Sequence, residues 1–536
     1  MPVLANSLNT AADAYRVNRE AMLAQLALHD AELAKANAGG GPAYVERHRK
    51  RGKMLARERV EAMLDHGSPF LELSPLAAWG SSFPVGGGIV CGIGVVEGTE
   101  CMIIANDPTM RGGATNPLGM RKNLRAMQIA RENRLPMVNL VESGGADLPT
   151  QSEIFIPGGQ SFHDITQMSA MGIPTVAVVF GNSTAGGAYV PGMSDYIVMI
   201  KERSKVFLGG PPLVKMATGE ESDDESLGGA EMHARVSGLA DYFAVDELDG
   251  IRLGRQVVRR LNQRKRGAGP RGGSAGAGRP PKYDPDELLG IPSADPKVPF
   301  DPRDVIARIV DASEFDEFKP LYGPSLVTGF AELHGYPIGI LANHRGVLFS
   351  EEAEKAAQFI QLANQIDTPL VFLQNTTGYM VGKEFEQGGI IKDGAKMINA
   401  VTNSRVPHLT IHMAASYGAG NYGMCGRAFG PRFLFAWPNA KTAVMGPQQL
   451  AGVMSIVARQ SAASMGKPFD DDADDALRRQ VEEQIERESL ALFMTGKVYD
   501  DGIIDPRDTR TVLGMCLSAI DNQPVQGTRG YGVFRM

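Results

Sequence analysis

The sequence has only four cysteines among its 536 residues, Cys91, Cys101, Cys425 and Cys516. No two of them form a Cys-x-x-Cys pair, so neither a disulfide framework nor a zinc ribbon is predicted. Scattered cysteines are typical of proteins from a reducing compartment. We therefore expect a cytoplasmic protein without a metal centre of its own.

Long apolar runs are also missing. No stretch reaches the roughly twenty apolar residues that a membrane-spanning helix needs, and the N-terminus lacks the basic and then apolar order of a secretory signal. The net charge of −7 argues against nucleic acid as a partner. With 43% hydrophobic and 21% charged residues, the composition is that of a globular protein with a sizeable buried core.

The sequence does contain one pattern twice. Adding 233 to a residue number in the first half gives a matching residue in the second half over more than seventy residues. The matches include Gly113 with Gly346, Lys122 with Lys355, Gly145 with Gly378, and Gly187 with Gly420. After a change of register, residues 56–65 match residues 302–311. We infer two copies of one α/β domain and not a solenoid of short repeats.

Strands alternate with helices in both copies, which predicts a largely parallel sheet in each. The predicted organisation is an N-terminal helix at a subunit contact (1–43), a first domain (44–264), a linker (265–283) and a second domain (284–536). The linker is rich in Gly, Ala and Pro, a composition that is not expected to pack. Within the first domain we expect helices at 118–132 and 160–171.

In both copies an apolar run ends in small residues. Residues 181–189 read Gly-Asn-Ser-Thr-Ala-Gly-Gly-Ala-Tyr, and residues 415–422 read Ala-Ser-Tyr-Gly-Ala-Gly-Asn-Tyr. A helix that begins here leaves backbone N–H groups free, and glycine lets a ligand oxygen approach them without meeting a Cβ. We predict an oxyanion hole in each copy, with an enolate as its ligand. The first comprises Gly186 and Gly187 facing Gly145 and Ala146, and the second comprises Gly418, Ala419 and Gly420 facing Gly378 and Tyr379.

The pattern gives less support to catalysis by side chains. Ser143 and Ser183 lie outside a Gly-x-Ser-x-Gly elbow, and no histidine lies in the glycine loops to act as their base. A hydratase with paired carboxylates would use Glu142 and Asp147, yet the second copy has no carboxylates at the equivalent positions. Acid–base work by side chains is therefore not shared between the copies.

Three other features have simpler explanations. The basic residues between 44 and 64 indicate either a solvated helix face or an edge that binds a ligand with several phosphates. His412 follows the apolar pattern of its strand and is predicted to be a core residue. Lys396 lies in Ala-Lys-Met, which lacks the Met that precedes the lysine of a biotin-acceptor site, so we expect a structural role for it.

Together these motifs identify a family resemblance. The chain resembles the carboxyltransferase (beta) subunits of biotin-dependent acyl-CoA carboxylases in five segments of the first half: 51–59, 64–72, 142–146, 184–191 and 207–215. Three segments of the second half, 375–382, 394–397 and 416–427, resemble the methylcrotonyl-CoA carboxylase branch. The resemblance extends from about residue 44 to residue 505.

The resemblance implies two tandem crotonase-like domains of the ββα-superhelix type. It implies that the first domain binds acyl-CoA and stabilises the thioester enolate at its glycine loops. The second would bind carboxybiotin and stabilise the biotin enolate that remains when CO2 is released, with biotin taking the substrate proton. Basic residues assigned to coenzyme A are Arg51, Lys53, Arg121, Lys122 and Lys215.

The same resemblance implies partners. The chain shows neither a Met-Lys-Met biotin site nor an ATP-binding half, so a separate biotin carboxylase and biotin carboxyl carrier (alpha) subunit is expected. The expected assembly is a homo-hexameric core within an alpha–beta complex, with no metal, nucleic acid or membrane partner. The expected substrate is 3-methylcrotonyl-CoA, an intermediate of leucine catabolism.

Residues 116–120 and 154–166 depart from the methylcrotonyl pattern. They are expected to border the acyl pocket, so propionyl-, geranyl- and longer acyl-CoA remain alternative substrates. Two other functions also remain open: a decarboxylase subunit of a membrane sodium pump, and a scaffold subunit without activity in a mixed carboxylase complex.

Overall fold

The chain is described by a computed structural model that covers residues 1–271, 278–293, 295, 298–466 and 468–536. Within these residues the strands form two large sheets, one in each half of the chain, and a separate pair of short strands.

The first sheet is built around a hairpin followed by parallel strands. Its strands are β1 (Phe70–Glu72), β2 (Ile89–Val96), β3 (Thr99–Asn106), β4 (Met137–Ser143), β5 (Thr175–Thr184), β6 (Tyr196–Ile200), β7 (Lys205–Phe207) and β8 (Tyr242–Ala244). Their order is β1-β2-β3-β4-β5-β6-β8, and β7 pairs with the far end of β5. β2 and β3 are antiparallel, whereas β3, β4, β5 and β6 are parallel.

The second sheet repeats this arrangement. Its half contains β9 (Asp316–Glu317), β10 (Leu326–Leu333), β11 (Tyr336–Asn343), β12 (Val347–Leu348), β13 (Leu370–Thr376), β14 (Gly378–Tyr379), β15 (His408–Tyr417), β16 (Phe433–Ala436) and β17 (Lys441–Ala443). The order is β16-β15-β13-β11-β10-β9, with β17 on β15, and β12 pairs with β14 outside the sheet. The antiparallel β10–β11 hairpin again precedes parallel strands.

The helices cover the two sheets. In the first half they are α1 (Asp13–Asn37), α2 (Pro42–Lys50), α3 (Ala56–Met63), α4 (Pro117–Glu132), α5 (Gln151–Ala170), α6 (Tyr189–Gly192), α7 (Pro211–Thr218), α8 (Asp224–Gly228), α9 (Ala230–Met232) and α10 (Glu247–Arg260). In the second half they are α11 (Pro302–Ile309), α12 (Ser350–Gln365), α13 (Lys383–Gly388), α14 (Ile390–Asn403), α15 (Gly418–Gly423), α16 (Pro447–Ser464), α17 (Asp471–Ser489), α18 (Ala491–Gly496) and α19 (Thr509–Ile520). Among the described residues, no helix combines the length and the apolar character needed to cross a membrane.

The predicted duplication is confirmed element by element. β4 and β13, β5 and β15, and α4 and α12 begin and end at residues that differ by 233. The match of residues 56–65 with 302–311 is confirmed by their last residues, Asp65 and Asp311, which bind equivalent hairpin turns. Asp65 accepts hydrogen bonds from the amides of the β2–β3 turn, and Asp311 accepts equivalent bonds from the β10–β11 turn.

The two halves share a buried core. The largest apolar cluster contains residues of both sheets and of α11 and α19. A buried ion pair joins the halves nearby, since the Arg125 guanidinium on α4 donates to both carboxylate oxygens of Asp501, at 2.8 and 2.9 Å. Arg125 and Arg427 hold the pKa of the Asp501 carboxyl well below its usual range although burial opposes this.

The prediction for the linker, residues 265–283, needs correction. The linker was expected not to pack, yet residues 265–271 and 278–283 hydrogen-bond along the second half. For example, the Gly267 amide donates to the Asp521 carbonyl at 2.8 Å, and a Cβ at Gly278 would lie 2.4 Å from the His334 backbone. Gly is required there because the backbones approach closely. Residues 272–277 of the predicted linker lie outside the described residues.

The N-terminal helix packs against the second half of its own chain. α1 runs beside residues 285–290, where the Tyr15 hydroxyl donates to the Glu287 carbonyl at 3.4 Å. The expected subunit contact of residues 1–43, like the domain boundaries, stays a prediction.

The helix expected at 160–171 begins earlier than predicted. α5 starts at Gln151 and includes Pro157 followed by Gly158 and Gly159. These residues weaken any helix pattern in the sequence, so the first half of α5 was missed. The helix expected at 118–132 is confirmed as α4.

Candidate active site

The glycine loops of the first half meet at the carboxyl edge of the sheet. β4 and β5 are parallel neighbours, and Ser143 at the end of β4 pairs with Ser183 near the end of β5. The Gly145 loop follows β4, and a short helical turn, Ala185–Ala188, follows β5. A Cβ placed on Gly145 would lie 3.4 Å from the Thr184 carbonyl oxygen. The two predicted loops are therefore in contact.

Ser143 fixes the first loop and is not placed as a nucleophile. Its hydroxyl donates to the Gly113 carbonyl at 3.1 Å and accepts from the Gly145 amide at 3.2 Å. The Gly145 amide is thus engaged in holding the loop. Within the predicted Gly145–Ala146 loop, this leaves the amide of Ala146 as the candidate donor.

The amide of Ala146 points to the open side of the loop. The backbone on either side of it pairs with Thr115, because the Thr115 amide donates to Gly145 and the Asp147 amide donates back to Thr115. In this pairing the N–H of Ala146 faces away from Thr115. Ala146 and Gly186 are exposed, and neither amide has a hydrogen-bond partner within the described part of the chain.

Gly186 and Gly187 occupy the start of the helical turn. In a 3-10 turn that starts at Ala185, the N–H of Gly186 has no earlier carbonyl of the turn to bond, whereas the N–H of Gly187 is the donor that closes the first turn on Thr184. A Cβ on Gly186 would lie 3.5 Å from the Phe162 ring. The position of Gly186 thus leaves one backbone donor free at the start of the turn.

These loops open onto a cavity of about 900 Å³. Its lining includes the predicted residues Gly145, Ala146, Gly186 and Gly187. Most other lining side chains are apolar, among them Ile89, Ile104, Met120, Val141, Leu148, Ile154, Phe155, Ile156, Phe162 and Val190. The two segments that depart from the methylcrotonyl pattern, 116–120 and 154–166, both contribute to this lining, as expected.

The second half reproduces the hydrogen bonds of the first. The Thr376 hydroxyl donates to the Gly346 carbonyl at 3.1 Å and accepts from the Gly378 amide at 3.2 Å. The Met380 amide donates to the Leu348 carbonyl at 2.9 Å, so that Tyr379 takes the place of Ala146. As with Gly145, the Gly378 amide is engaged and the following amide is the one that faces outward.

A second cavity, of about 690 Å³, lies beside these residues. Gly378 and Tyr379 line it, whereas Gly418, Ala419 and Gly420 at the start of α15 do not. Gly420 is nevertheless close to the loop, because a Cβ there would lie 3.0 Å from the Gly378 Cα. The structure therefore brings Gly420 to the predicted partner loop and leaves Gly418 and Ala419 outside the cavity wall.

A carboxyl transferase domain model matches residues 47–532 of the chain. The chain belongs to the carboxyl transferase family. It is 67% identical over 100% of both chains to the probable biotin-dependent acyl-coenzyme A carboxylase beta2 subunit of Mycobacterium tuberculosis. It is 49% identical to the biotin-dependent 3-methylcrotonyl-coenzyme A carboxylase beta1 subunit of the same organism, over 94% of this chain and 95% of the other.

Among solved structures, the beta subunit of P. aeruginosa geranyl-CoA carboxylase is similar over 99% of both chains, with a TM-score of 0.89 and 44% identity. These comparisons confirm the crotonase-like fold and the enzyme class predicted from the sequence. The chain is a carboxyltransferase of the biotin-dependent acyl-CoA carboxylase kind.

Behind the first glycine loop, the carboxyltransferase contains a buried network of charges that the sequence did not reveal. Glu142, at the end of β4, pairs with the Lys53 ammonium and with the Arg59 guanidinium, the latter at 2.8 Å. Arg59 also pairs with Glu247 at 3.0 Å and lies over the Phe180 ring at 4.4 Å. The signal that could have revealed this network is the presence of charged residues at positions where the apolar pattern predicts core side chains.

The basic residues assigned to coenzyme A differ in their surroundings: two are engaged by acceptors of the chain and three are exposed. Lys122 is 1% exposed, and its ammonium donates to the carbonyls of Gly86 and Ile89 at 3.3 and 2.6 Å. Lys53 is held by Glu142. Burial and these partners argue against a phosphate-binding role for either lysine, which corrects the prediction.

The remaining three, Arg51, Arg121 and Lys215, are exposed. Lys215 pairs with Glu221 at 2.8 Å on the surface. Phosphate binding by these three residues stays a prediction.

The simpler explanations for other residues agree with the structure. His412 is buried, and burial lowers the pKa of its imidazole to about 3. The Lys396 ammonium pairs with Asp393 at 2.9 Å and Glu354 at 3.2 Å. In the described ranges, no group of three or more His, Cys, Asp or Glu side chains is arranged to hold a metal ion.

Proposed function

We propose that this carboxyltransferase moves a carboxyl group from carboxybiotin, carried by a separate subunit, to an unsaturated branched acyl-CoA. The expected substrate is 3-methylcrotonyl-CoA. The observation that supports this most is the repeated loop geometry, in which Ala146 and Gly186 in one half correspond to Tyr379 and Ala419 in the other. A reaction with two separate oxyanions uses two such sites.

In the first half, the thioester oxygen would accept hydrogen bonds from Ala146 and from Gly186 or Gly187. When the substrate loses a proton, negative charge moves onto this oxygen, so the bonds strengthen in the transition state. One donor of this kind typically lowers a barrier by ~2.7–4 kcal/mol. The amides are fixed before the substrate arrives, because Ser143 and the Thr115 pairing hold the loop.

The cavity lining itself favours this chemistry over acid–base catalysis by the protein. No Asp, Glu, His, Lys, Tyr or Cys lines the 900 Å³ cavity within the described part of the chain. The substrate proton therefore has to be taken by a reactant. In the proposal that reactant is biotin, which supplies both CO2 and the base when it is bound.

In the second half, Gly378 and Tyr379 line part of a separate cavity that is large enough to admit a small bicyclic ring. The N–H of Tyr379, with those of the first turn of α15, would bind the ureido oxygen. Gly420 brings that helix start against the loop because it has no Cβ to hold them apart.

A second candidate substrate class is favoured by the size of the first cavity. About 900 Å³ is more than a five-carbon acyl group fills, and β2, β3 and β4 each contribute one apolar side chain to the lining: Ile89, Ile104 and Val141. A longer acyl group such as geranyl would use this space. Gly158 and Gly159, in the segment that departs from the methylcrotonyl pattern, line the cavity without side chains and so leave it wider there.

Further elements of the proposal concern the assembly. The biotin would be supplied by a biotin carboxylase and carrier (alpha) subunit, with this chain as a hexameric core in the cytoplasm. The family membership and the relatives at 67% and 49% identity support a biotin-carrying partner.

The test is a carboxylation assay with the purified chain, its biotin-carrying partner, ATP and bicarbonate. Substrates are 3-methylcrotonyl-, propionyl-, geranyl- and long-chain acyl-CoA. We expect carboxylation of 3-methylcrotonyl-CoA or geranyl-CoA, with propionyl-CoA slowest because it leaves most of the cavity empty. Failure with every ester would contradict the proposal.

A variant separates catalysis from a scaffold role. Gly187→Val should abolish activity if this chain catalyses the reaction, since its side chain would block access to the amides. If the chain is only a scaffold, a mixed complex that contains the variant should keep its full activity.

A further inference from the structure

The acyl cavity of the first half occupies space that is filled in the second half. Five residues that line the cavity, Ile89, Ile104, Met120, Asn123 and Asn139, are equivalent to Leu326, Leu341, Ala353, Ala356 and Phe372. All five residues of the second half are fully buried members of one apolar core cluster. The duplication thus provides an internal comparison: the same positions form a closed core in one copy and an open cavity in the other.

Asn139 stands out in this comparison. It is 6% exposed, and its carboxamide makes no hydrogen bond to any described residue; its Nδ2 is buried without a partner. Its equivalent Phe372 is fully buried and packs edge-on against the His408 ring, with centroids 5.3 Å apart. At this position the first copy therefore has a polar group that lines the cavity, where the second copy has a core aromatic residue.

The position of Asn139 along β4 places it far from the glycine loops. Asn139, Val141 and Ser143 alternate along the strand and all line the cavity. Ser143 is four positions further along the strand than Asn139, which corresponds to a distance of about 13 Å. Asn139 thus lies beside the distal part of an acyl group whose thioester is bound at Ala146 and Gly186.

A buried carboxamide without a hydrogen bond is costly, so most such groups in folded proteins have a partner. Most side chains that line the cavity are apolar, and a hydrocarbon substrate would bury this carboxamide further without offering it a bond. A ligand that carries an oxygen at the right depth would remove the cost. A carboxamide both donates and accepts, so hydroxyl and carbonyl groups fit it equally.

We propose that Asn139 is a specificity-determining residue that selects acyl-CoA substrates with a hydroxyl or carbonyl oxygen near the far end of the acyl chain. This inference rests on the proposed function, because it uses the thioester position assigned there. It concerns acyl groups long enough to reach Asn139, among which an oxygenated chain is favoured over a pure hydrocarbon of the same length; it does not concern the shorter 3-methylcrotonyl group.

The test uses pairs of acyl-CoA esters that differ only at the end of the chain, from hexanoyl- to dodecanoyl-CoA and their ω-hydroxy counterparts. Binding to the full chain is measured by calorimetry. At the chain length that reaches Asn139, we expect the hydroxy ester to bind about tenfold more tightly than its partner. At shorter lengths we expect no preference for the hydroxy ester.

Two variants separate hydrogen bonding from the size of the cavity. Asn139→Leu fills space and Asn139→Ala opens it, but both remove the carboxamide. If the hydrogen bond is responsible, both variants lose the preference for the hydroxy ester. Equal binding of the two esters by the wild-type chain at every length would overturn the inference, and so would a preference that survives in both variants.

Failure of this inference and failure of the proposed function can be distinguished. If esters are carboxylated in the presence of the biotin-carrying partner but no hydroxy preference is found, only the role of Asn139 is wrong. If no ester is carboxylated, the proposed function fails, whatever the calorimetry shows.

Discussion

Ala185 and Gly418 are equivalent residues that adopt the same left-handed backbone, with φ of 53° and 55°. Ala185 directly follows β5 and is the first residue of the helical turn after it. Gly418 directly follows β15 and is the first residue of α15. For alanine this conformation costs on the order of 1–2 kcal/mol. The strain falls where the chain must turn sharply from strand to helix, so that the next amides face the cavity.

The first prediction concerns this turn. Ala185→Gly should retain activity and lie within about 1 kcal/mol of the wild type in unfolding free energy, since glycine adopts a positive φ without strain. Ala185→Val should lower activity, because a β-branched residue strongly disfavours this conformation and would move Gly186 and Gly187. Thermal unfolding and carboxylation rates measure the two effects. Wild-type activity in the valine variant would show that the turn does not position the amides.

The second prediction concerns the buried lysine of α4. The ammonium groups of Lys122 and Lys355 donate to equivalent pairs of carbonyls, and burial lowers the pKa of both. Lys122→Met should destabilise the protein by about 1–3 kcal/mol, because two buried carbonyls lose their donor.

Unlike the stability, the affinity of the folded Lys122→Met protein for coenzyme A should be unchanged. Calorimetry measures this affinity. Arg121→Ala, at the exposed neighbouring residue, is the matched control and should leave the unfolding free energy unchanged. A loss of affinity in Lys122→Met without loss of stability would restore the phosphate-binding role.

The third prediction concerns stability in acid. Burial, with a smaller contribution from Arg427, lowers the pKa of His412 to about 3, against about 6.5 in an unfolded chain. Between these values the unfolded chain binds a proton that the folded chain does not, so stability falls as the pH decreases below about 6.5. Each fully titrating histidine contributes about 1.4 kcal/mol per pH unit.

In the His412→Asn variant, the unfolding free energy should therefore depend less steeply on pH between pH 6.5 and pH 4. Urea unfolding at several pH values measures this slope. His66, which is exposed, provides the control, and His66→Gln should keep the wild-type slope. If both variants have the wild-type slope, His412 is not held neutral by burial.

Much of the fold followed from the sequence because duplication provides a second, independent view of each element. The offset of 233 residues predicted the equivalence of α4 with α12, and the small residues after β5 and β15 marked both helix starts. Composition alone would not have done this. A single Ala-Gly-Gly-Ala segment is compatible with simple close packing.

The parts that could not be predicted depend on contacts between distant residues. The sequence shows that Lys53 and Lys122 are basic, but only the fold shows that each is buried against an acceptor. Likewise, nothing local to Gly145 reveals that Ser143 takes its amide and leaves that of Ala146 free. Asn139 gives no local signal either, because its meaning comes from the cavity and from Phe372.

The measurement that tests the central claim most directly compares the wild type with Gly186→Ala. A Cβ on Gly186 would meet only the Phe162 ring, at an ordinary 3.5 Å, so the variant should fold within about 0.5 kcal/mol of the wild type. The added methyl group would enter the cavity beside the free amides and hinder the approach of the thioester oxygen.

With the biotin-carrying partner and the best acyl-CoA, we predict that kcat falls on the order of 100-fold while the Kd for the acyl-CoA changes little, because the lost interaction strengthens only in the transition state. A folded Gly186→Ala protein with wild-type kcat would contradict the account.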